Sequence, residues 1–133
     1  MSDGLRYLDS SALVKLVLAE RESPALARWL GRTAEVVSSE VAIVEVVRAV
    51  RLADGDPATE DSARRELEEI TLVAMSRDVL EHAALVSPRR LRALDAIHLA
   101  TALAVEPDEF VAYDERLLGA AAEAGLRVAS PGA

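Results

Sequence analysis

The sequence predicts a three-layer α/β/α protein with a central parallel sheet. Apolar, β-prone runs alternate with longer helical patterns along the whole chain, which is typical of strand–helix–strand units. The runs are apolar at consecutive rather than alternate positions, as expected when helices cover both faces of the sheet. At 133 residues the chain is long enough to bury its own core, so we expect residues 1–133 to form one domain.

The first half of the chain predicts two strands and four helices. In order, they are a strand at 5–8, helices at 11–20 and 23–30, a strand at 34–39, and helices at 41–53 and 58–69. Ser23-Pro24 is a typical helix start and Gly31 a typical helix end. Asp54-Gly55-Asp56-Pro57 is the clearest turn in the chain.

The second half continues the same alternation. It predicts a strand at 70–75, helices at 77–85 and within 91–103, a strand at 109–113, a helix at 114–125 and a strand at 126–130. The stretch "LRALDAIHLATAL" (91–103) is apolar or small at most positions, so we expect it to be buried. A carboxylate in its middle, Asp95, would be expensive to bury without a partner.

Composition limits the classes of function. The chain has no cysteine, which excludes disulfides, thiolate metal sites and cysteine nucleophiles. No apolar run approaches the roughly 18 residues of a membrane span, and residues 1–4 do not resemble a signal peptide, so we expect a cytoplasmic protein with no membrane contact. The net charge of −8 argues against a general nucleic-acid binder with a basic face, and suits a cluster of carboxylates instead.

Four acids lie next to apolar sequence. Asp9 follows the first strand and Asp114 follows the strand at 109–113, so both are expected at the carboxyl edge of the sheet, where α/β proteins bind ligands. Glu45 lies inside "VAIVEVV", and Asp95 lies near the start of its helix. A cluster of carboxylate oxygens is the ligand set that Mg²⁺ or Mn²⁺ prefers.

Each acid also has a simpler structural explanation. Asp9, Asp95 and Asp114 each precede a helical pattern and could cap it through a side-chain oxygen. Glu45 lies in mid-helix, so its alternative is an ion pair with Arg48 three residues on. His98, one turn after Asp95, is expected to be a hydrogen-bonded core residue rather than a zinc ligand. No phosphate-binding glycine loop and no G-x-S-x-G elbow is present.

Four blocks of the sequence, in order and spacing, resemble a PIN domain, and most closely the VapC-like ribonuclease toxins of prokaryotic toxin–antitoxin pairs. The blocks are "YLDSSALVKL" (7–16), "SSEVAIVEVVRAV" (38–50), "LRALDAIHLATAL" (91–103) and "FVAYDERLL" (110–118). The resemblance implies that Asp9, Glu45, Asp95 and Asp114 form the catalytic, metal-binding constellation. It also implies one or two Mg²⁺ or Mn²⁺ ions, which activate a water for attack on an RNA phosphodiester and leave 5′-phosphate and 3′-hydroxyl ends.

Other residues take subsidiary places in this resemblance. Ser10, beside Asp9, is the kind of polar residue that supports the site, and many family members have Thr or Ser where this chain has Ala112. Arginines that precede Asp95 or follow Asp114 are candidates for holding RNA locally: Arg89, Arg90, Arg92 and Arg116. Solvated surface arginines are the alternative for each of them.

We therefore expect a metal-dependent endoribonuclease that acts as the toxin of a VapBC-type module. The resemblance implies a homodimer, and a hetero-oligomer with a VapB-type antitoxin whose basic side chain could enter the acidic groove. Two alternatives remain open: a PIN-type RNA-processing nuclease without an antitoxin, and a PIN-fold binding module with inert acids. A phosphoacceptor receiver domain is disfavoured, because the paired acids and lysine of such a site are not suitably placed.

Overall fold

The computed structural model describes residues 4–32 and 34–133. Within them the chain forms, in order, β1 (Leu5–Leu8), α1 (Ser10–Val17), α2 (Ser23–Leu30), β2 (Glu35–Ser39), α3 (Val41–Ala53), α4 (Pro57–Glu68), β3 (Thr71–Val73), α5 (Arg77–Ala83), α6 (Ala93–Val105), β4 (Glu109–Val111), α7 (Glu115–Glu123) and β5 (Val128–Ala129). These elements have the types and the order that the sequence predicts. In the described chain, no helix combines the length and the apolar character needed to cross a membrane.

The five strands form one parallel sheet in the order β3-β2-β1-β4-β5. The chain moves outward from β1 through β2 to β3, then returns to the other side of β1 for β4 and β5. The topological switch point therefore lies between β1 and β4, where Leu8 pairs in register with Val111. The backbone N–H of Asp9 donates to the Val111 carbonyl at 3.1 Å, so the two strands are still joined where β1 ends.

Helices cover both faces of the sheet, which confirms the predicted three-layer arrangement. Successive side chains of a strand face opposite sides, and β1 illustrates this. Leu8 is buried in a core with α1 to α4, whereas Tyr7 is buried in a second core under α6 and α7. On that second face, α5 packs against α6 through Ala83, Ala96 and Ala100.

Several predicted ends are wrong by a few residues. The strands predicted at 70–75 and 126–130 shrink to Thr71–Val73 and Val128–Ala129, because only these residues pair with a neighbouring strand. Helix α1 stops at Val17, not at 20, because Leu18 has extended backbone and its carbonyl accepts from the Ser23 hydroxyl. The apolar pattern also conceals a largely buried ion pair, in which Arg6 Nε lies 2.9 Å from an oxygen of Glu109 on β4.

The stretch at 91–103 is less buried at its start than the sequence predicts. Helix α6 begins at Ala93, Leu94 keeps 45% of its surface exposed, and continuous burial begins only near His98. Asp95 is therefore partly exposed rather than enclosed. The reason is that the first turn of α6 extends to the carboxyl edge of the sheet, beyond the cover of the core.

Candidate functional site

The predicted acids come from four different elements at one edge of the fold. Asp9 follows β1 and Asp114 follows β4, the two strands that flank the switch point. Glu45 comes from α3 on one face of the sheet and Asp95 from α6 on the other. They are close enough to affect one another, since Asp114 and Glu45 both raise the pKa of Asp95, and Asp95 raises that of Asp9.

Asp9 is the most deeply buried of the four, with 4% of its surface exposed. Its Oδ1 accepts from the Ala12 backbone N–H at 3.0 Å and from the Ser11 hydroxyl at 2.7 Å, so Asp9 does cap α1. Burial raises its pKa from 3.8 to about 6, despite opposing contributions from His98, Ser11 and Ala12. The carboxylate therefore carries its charge at neutral pH against a substantial desolvation penalty.

Asp114 also caps a helix. Its Oδ1 accepts from the backbone N–H groups of Arg116 and Leu117, at 2.9 and 3.1 Å, at the start of α7. The side chain is exposed to solvent at the carboxyl edge of β4. The capping explanation thus holds for both acids that follow strands, but capping engages only one oxygen of each.

Glu45 has a polar environment that its apolar neighbours in sequence do not suggest. Its Oε1 accepts from the Ser10 hydroxyl at 2.6 Å and lies 2.8 Å from His98 Nε2. Among the described residues it makes no ion pair with Arg48, so the alternative proposed from the sequence is wrong. Burial alone would raise the pKa of Glu45, but the hydrogen bonds from His98 and Ser10 outweigh it and hold that pKa below its ordinary value.

Asp95 does not cap its helix. It lies in the first turn of α6. The N-cap residue of this helix is Arg92, whose side chain makes no capping hydrogen bond. Within residues 4–32 and 34–133 its carboxylate has no hydrogen bond. Burial and the nearby Asp114 raise its pKa, and the opposing contributions of His98 and Arg92 do not compensate for them.

Sequence reasoning missed the polar contacts that His98, Ser10 and Ser11 make at the site. His98, 1% exposed, is hydrogen-bonded at both ring nitrogens, which confirms a satisfied core histidine. Its partners are Tyr7 and Glu45, so it also connects the core to a candidate ligand. Ser11, rather than Ser10, is the serine that contacts Asp9, and Ser10 contacts Glu45 instead. A hydroxyl two residues after an N-cap aspartate is the only local signal for the Ser11 contact.

The donor chemistry of these side chains fits a hard divalent cation. In the described chain, Oδ2 of Asp9, Oε2 of Glu45, Oδ2 of Asp114 and both oxygens of Asp95 make no hydrogen bond. Carboxylate oxygens of this kind are the usual ligands of Mg²⁺ and Mn²⁺. As they stand, however, no three His, Asp or Glu side chains in the described residues form a group that could hold an ion. Mutually repelling carboxylates would have to draw together around a cation.

The candidate arginines lie on the surface near these acids in sequence. All four are exposed, and within the described part of the chain none of them forms an ion pair: Arg89, Arg90, Arg92 and Arg116. Arg90 and Arg116 line a cavity of about 360 Å³ together with Pro88 and Leu91. Their guanidinium groups are therefore available to an anion from outside.

Comparison with known proteins identifies the fold family. The sequence profile of the PIN domain matches residues 6–123, which is most of the chain and includes all four acids. The chain belongs to the PIN domain family. Within that family it is similar to VapC proteins of Mycobacterium tuberculosis, several of which match over nearly their whole length.

Two of these relatives show the extent of the match. Ribonuclease VapC46 is 43% identical over 127 residues, covering 94% of this PIN domain and 96% of its relative. Ribonuclease VapC47 is 38% identical over 133 residues, covering 96% and 97% respectively. Such identity over nearly the full length of both chains places this PIN domain in the VapC group.

Solved structures support the fold independently. VapC20 of Mycobacterium tuberculosis, described as a sarcin–ricin loop cleaving toxin, matches with a TM-score of 0.75 at 19% identity, over 95% of this PIN domain and 99% of that chain. A toxin–antitoxin complex from Klebsiella pneumoniae matches with a TM-score of 0.69 at 22% identity, over 95% and 97%. At these identities the likeness concerns the fold alone.

Proposed function

We propose that this PIN domain is a divalent-metal-dependent endoribonuclease of the VapC type. One observation carries the proposal: Asp9 and Asp114 flank the switch point of the sheet, and Glu45 and Asp95 lie close enough to them or to each other to affect the pKa values of this set. Each of the four carboxylates keeps at least one oxygen without a hydrogen bond among the described residues. The relatives named as VapC ribonucleases, at 38–43% identity, supply the class of substrate. A structural role alone would not need two further acids, since Glu45 and Asp95 cap no helix.

Asp9, Glu45, Asp95 and Asp114 would hold one or two Mg²⁺ or Mn²⁺ ions. The metal would lower the pKa of a bound water and neutralise charge that builds on the phosphate oxygens. The chain itself contributes the fixed orientation of its carboxylates: caps hold one oxygen of Asp9 and of Asp114, and hydrogen bonds hold one oxygen of Glu45. The buried charge of Asp9, disfavoured by desolvation, would become favourable beside a cation.

RNA would be held by local arginines despite the overall negative charge. Arg90 and Arg116 border one cavity, and Arg116 lies two residues after Asp114. Guanidinium groups without an internal carboxylate partner can contact phosphates on either side of the cleaved bond. Arg89 and Arg92 would extend this contact along the loop before α6.

The biological role we propose is that of a cytoplasmic toxin controlled by a VapB-type antitoxin. Support comes from the VapC relatives and from the two solved complexes with similar folds, the Klebsiella pneumoniae toxin–antitoxin complex and VapBC2 of Rickettsia felis. We also propose a homodimer, as the family resemblance implies. Molar mass by light scattering, alone and with a co-expressed partner, tests both points.

Cleavage of RNA by the purified protein tests the nuclease. We expect cleavage with Mn²⁺ or Mg²⁺, none with EDTA, and products with 5′-phosphate and 3′-hydroxyl ends. Glu45→Gln should reduce the rate at least 100-fold, on the scale of losing an essential electrostatic group. The matched control is Glu68→Gln, which changes an exposed carboxylate on α4 and should cleave like the wild type.

Two other outcomes would support the alternatives. RNA binding without cleavage, under any metal condition and in a folded protein, would favour the inert binding module. Cleavage by a protein that recruits no antitoxin when its genomic neighbours are co-expressed would favour an RNA-processing nuclease. In both cases the proposed toxin function would be rejected.

A further inference from the structure

A chain of buried hydrogen bonds leads from the centre of the sheet to Glu45. The Tyr7 hydroxyl lies 2.7 Å from His98 Nδ1, and His98 Nε2 lies 2.8 Å from Glu45 Oε1. Ser10 adds a third contact, with its hydroxyl 2.6 Å from the same Glu45 oxygen and 3.1 Å from Nε2. Tyr7 and His98 are almost fully buried, with 0% and 1% of their surfaces exposed.

Hydrogen-bond chemistry fixes the direction of this chain. An ionised Glu45 carboxylate can only accept, so Nε2 of His98 must carry the proton that it shares with Oε1. In a neutral imidazole Nδ1 is then an acceptor, and the Tyr7 hydroxyl must be its donor. Burial raises the pKa of Tyr7 far above its ordinary value, so the phenol keeps the proton that it donates. For a neutral imidazole, this is the only arrangement that satisfies Tyr7, His98 and Glu45 together.

The arrangement joins the two helical layers of the protein. Tyr7 stands on β1 and is stacked on Phe110, with ring centroids 5.4 Å apart, inside the core under α6 and α7. Glu45 belongs to α3, which packs on the opposite face of the sheet. Layers on opposite faces can meet only beyond the end of the strands, and His98 makes that connection. The buried Tyr7 thus holds His98 in place, and His98 in turn holds a carboxylate of the candidate metal site.

We propose that Tyr7 and His98 are positioning residues that hold Glu45 by its Oε1 and thereby determine how tightly the site binds a divalent cation. The proposal rests on the proposed function, in which Glu45 is a metal ligand. Residues that hydrogen-bond to a metal ligand restrict the orientation of that ligand. Losing such a partner typically weakens metal binding or activity about 10- to 100-fold. Without His98, the Glu45 side chain would lose the contact that fixes its Oε1 and could turn away from the ion.

The test measures Mn²⁺ affinity by calorimetry, and RNA cleavage as a function of Mn²⁺ concentration, for the whole chain. We expect His98→Leu to weaken Mn²⁺ binding about 10- to 100-fold. His98→Gln keeps an N–H near the position of Nε2 and should recover binding to within about threefold of the wild type. Tyr7→Phe keeps the ring stacked on Phe110 and removes only the hydroxyl, so a loss of roughly 2- to 10-fold is expected.

The necessary control is a variant that destabilises the protein but leaves the site intact. Val50→Ala removes buried volume from α3 without touching the hydrogen-bonded chain, and should bind Mn²⁺ like the wild type. If His98→Leu does not fold, Tyr7→Phe decides the question. Wild-type affinity in folded His98→Leu and Tyr7→Phe would overturn the proposal, as would an equal loss in Val50→Ala or no recovery in His98→Gln. If the wild type itself neither binds Mn²⁺ nor cleaves RNA, the proposed function fails, and the positioning role is rejected with it.

Discussion

Replacing Asp9 with asparagine should stabilise the protein at neutral pH while removing its response to Mn²⁺. Burial raises the pKa of Asp9 from 3.8 to about 6, a difference of about 2 units. At about 1.4 kcal/mol per unit, the ionised carboxylate lowers the free energy of unfolding, and so destabilises the protein, by at most about 3 kcal/mol well above pH 6. Asparagine keeps a carbonyl oxygen for the Ala12 and Ser11 contacts but carries no charge.

The sign of the pH dependence follows from the raised pKa. Wild-type stability attributable to Asp9 is complete below about pH 4 and is lost as the pH rises through about 6. The advantage of Asp9→Asn should therefore be at or slightly below zero at pH 4 and reach about 1–3 kcal/mol at pH 7.5, since at either pH the buried amide N–H groups need partners of their own. For a chain of this length, that corresponds to a melting temperature on the order of 4–11 °C higher.

Thermal and denaturant unfolding at pH 4 and pH 7.5, with and without Mn²⁺, measure the effect. Mn²⁺ at one hundred times its dissociation constant should stabilise the wild type by about 2.7 kcal/mol and the variant far less. Asp56→Asn is the matched control, because Asp56 caps α4 in the same way but is exposed, so its stability should change little at either pH. If Asp9→Asn is destabilising at pH 7.5, the charge of Asp9 is favourable in the fold and the desolvation argument is wrong.

Three further predictions concern the same edge of the sheet. Without metal, Asp95→Asn should change the free energy of unfolding by less than about 1 kcal/mol, because the side chain is partly exposed. The same substitution should abolish the rise in melting temperature with Mn²⁺, and an unchanged rise would exclude Asp95 as a ligand. Arg90→Ala and Arg116→Ala should each lower the slope of log affinity for RNA against log salt by about 0.7 to 1, whereas Arg127→Ala, at the amino end of β5, should not. Ser11→Ala removes a hydrogen bond that lowers the pKa of Asp9, so NMR titration of that carboxyl should show a pKa above its wild-type value, and no change would show that the contact is weak.

The order of the helices and strands, and the parallel sheet, could be predicted from the sequence. Strands buried on both faces are short runs of consecutive apolar residues, and these runs alternate with longer helical patterns. The residues at which the elements begin and end could not be predicted. The end of α1 depends on the Ser23 hydroxyl reaching the Leu18 carbonyl, and β3 has only three residues because its length is set by pairing with β2. Both are tertiary effects, which local propensity does not contain.

The candidate site divides in the same way. Asp9 and Asp114 were predictable from position alone, since each follows a strand whose end must lie at the ligand edge. The contact of His98 was not, because its partners Tyr7 and Glu45 lie 91 and 53 residues away in sequence. The partial exposure of Asp95 was also missed, because the apolar composition of its helix does not reveal where the cover of the core ends.

Helix capping and metal binding were opposed in the sequence analysis, but the geometry makes them compatible. Capping engages Oδ1 of Asp9 and Oδ1 of Asp114, and leaves the second oxygen of each without a hydrogen bond in the described chain. A capped aspartate has fewer orientations available, so the cap reduces the entropy lost when the second oxygen binds an ion. Substitution by alanine would remove both contributions at once and could not separate them. Asparagine retains the acceptor for the cap and removes the charge, so a loss of Mn²⁺ response in Asp9→Asn, with α1 still capped, isolates the contribution of the charge.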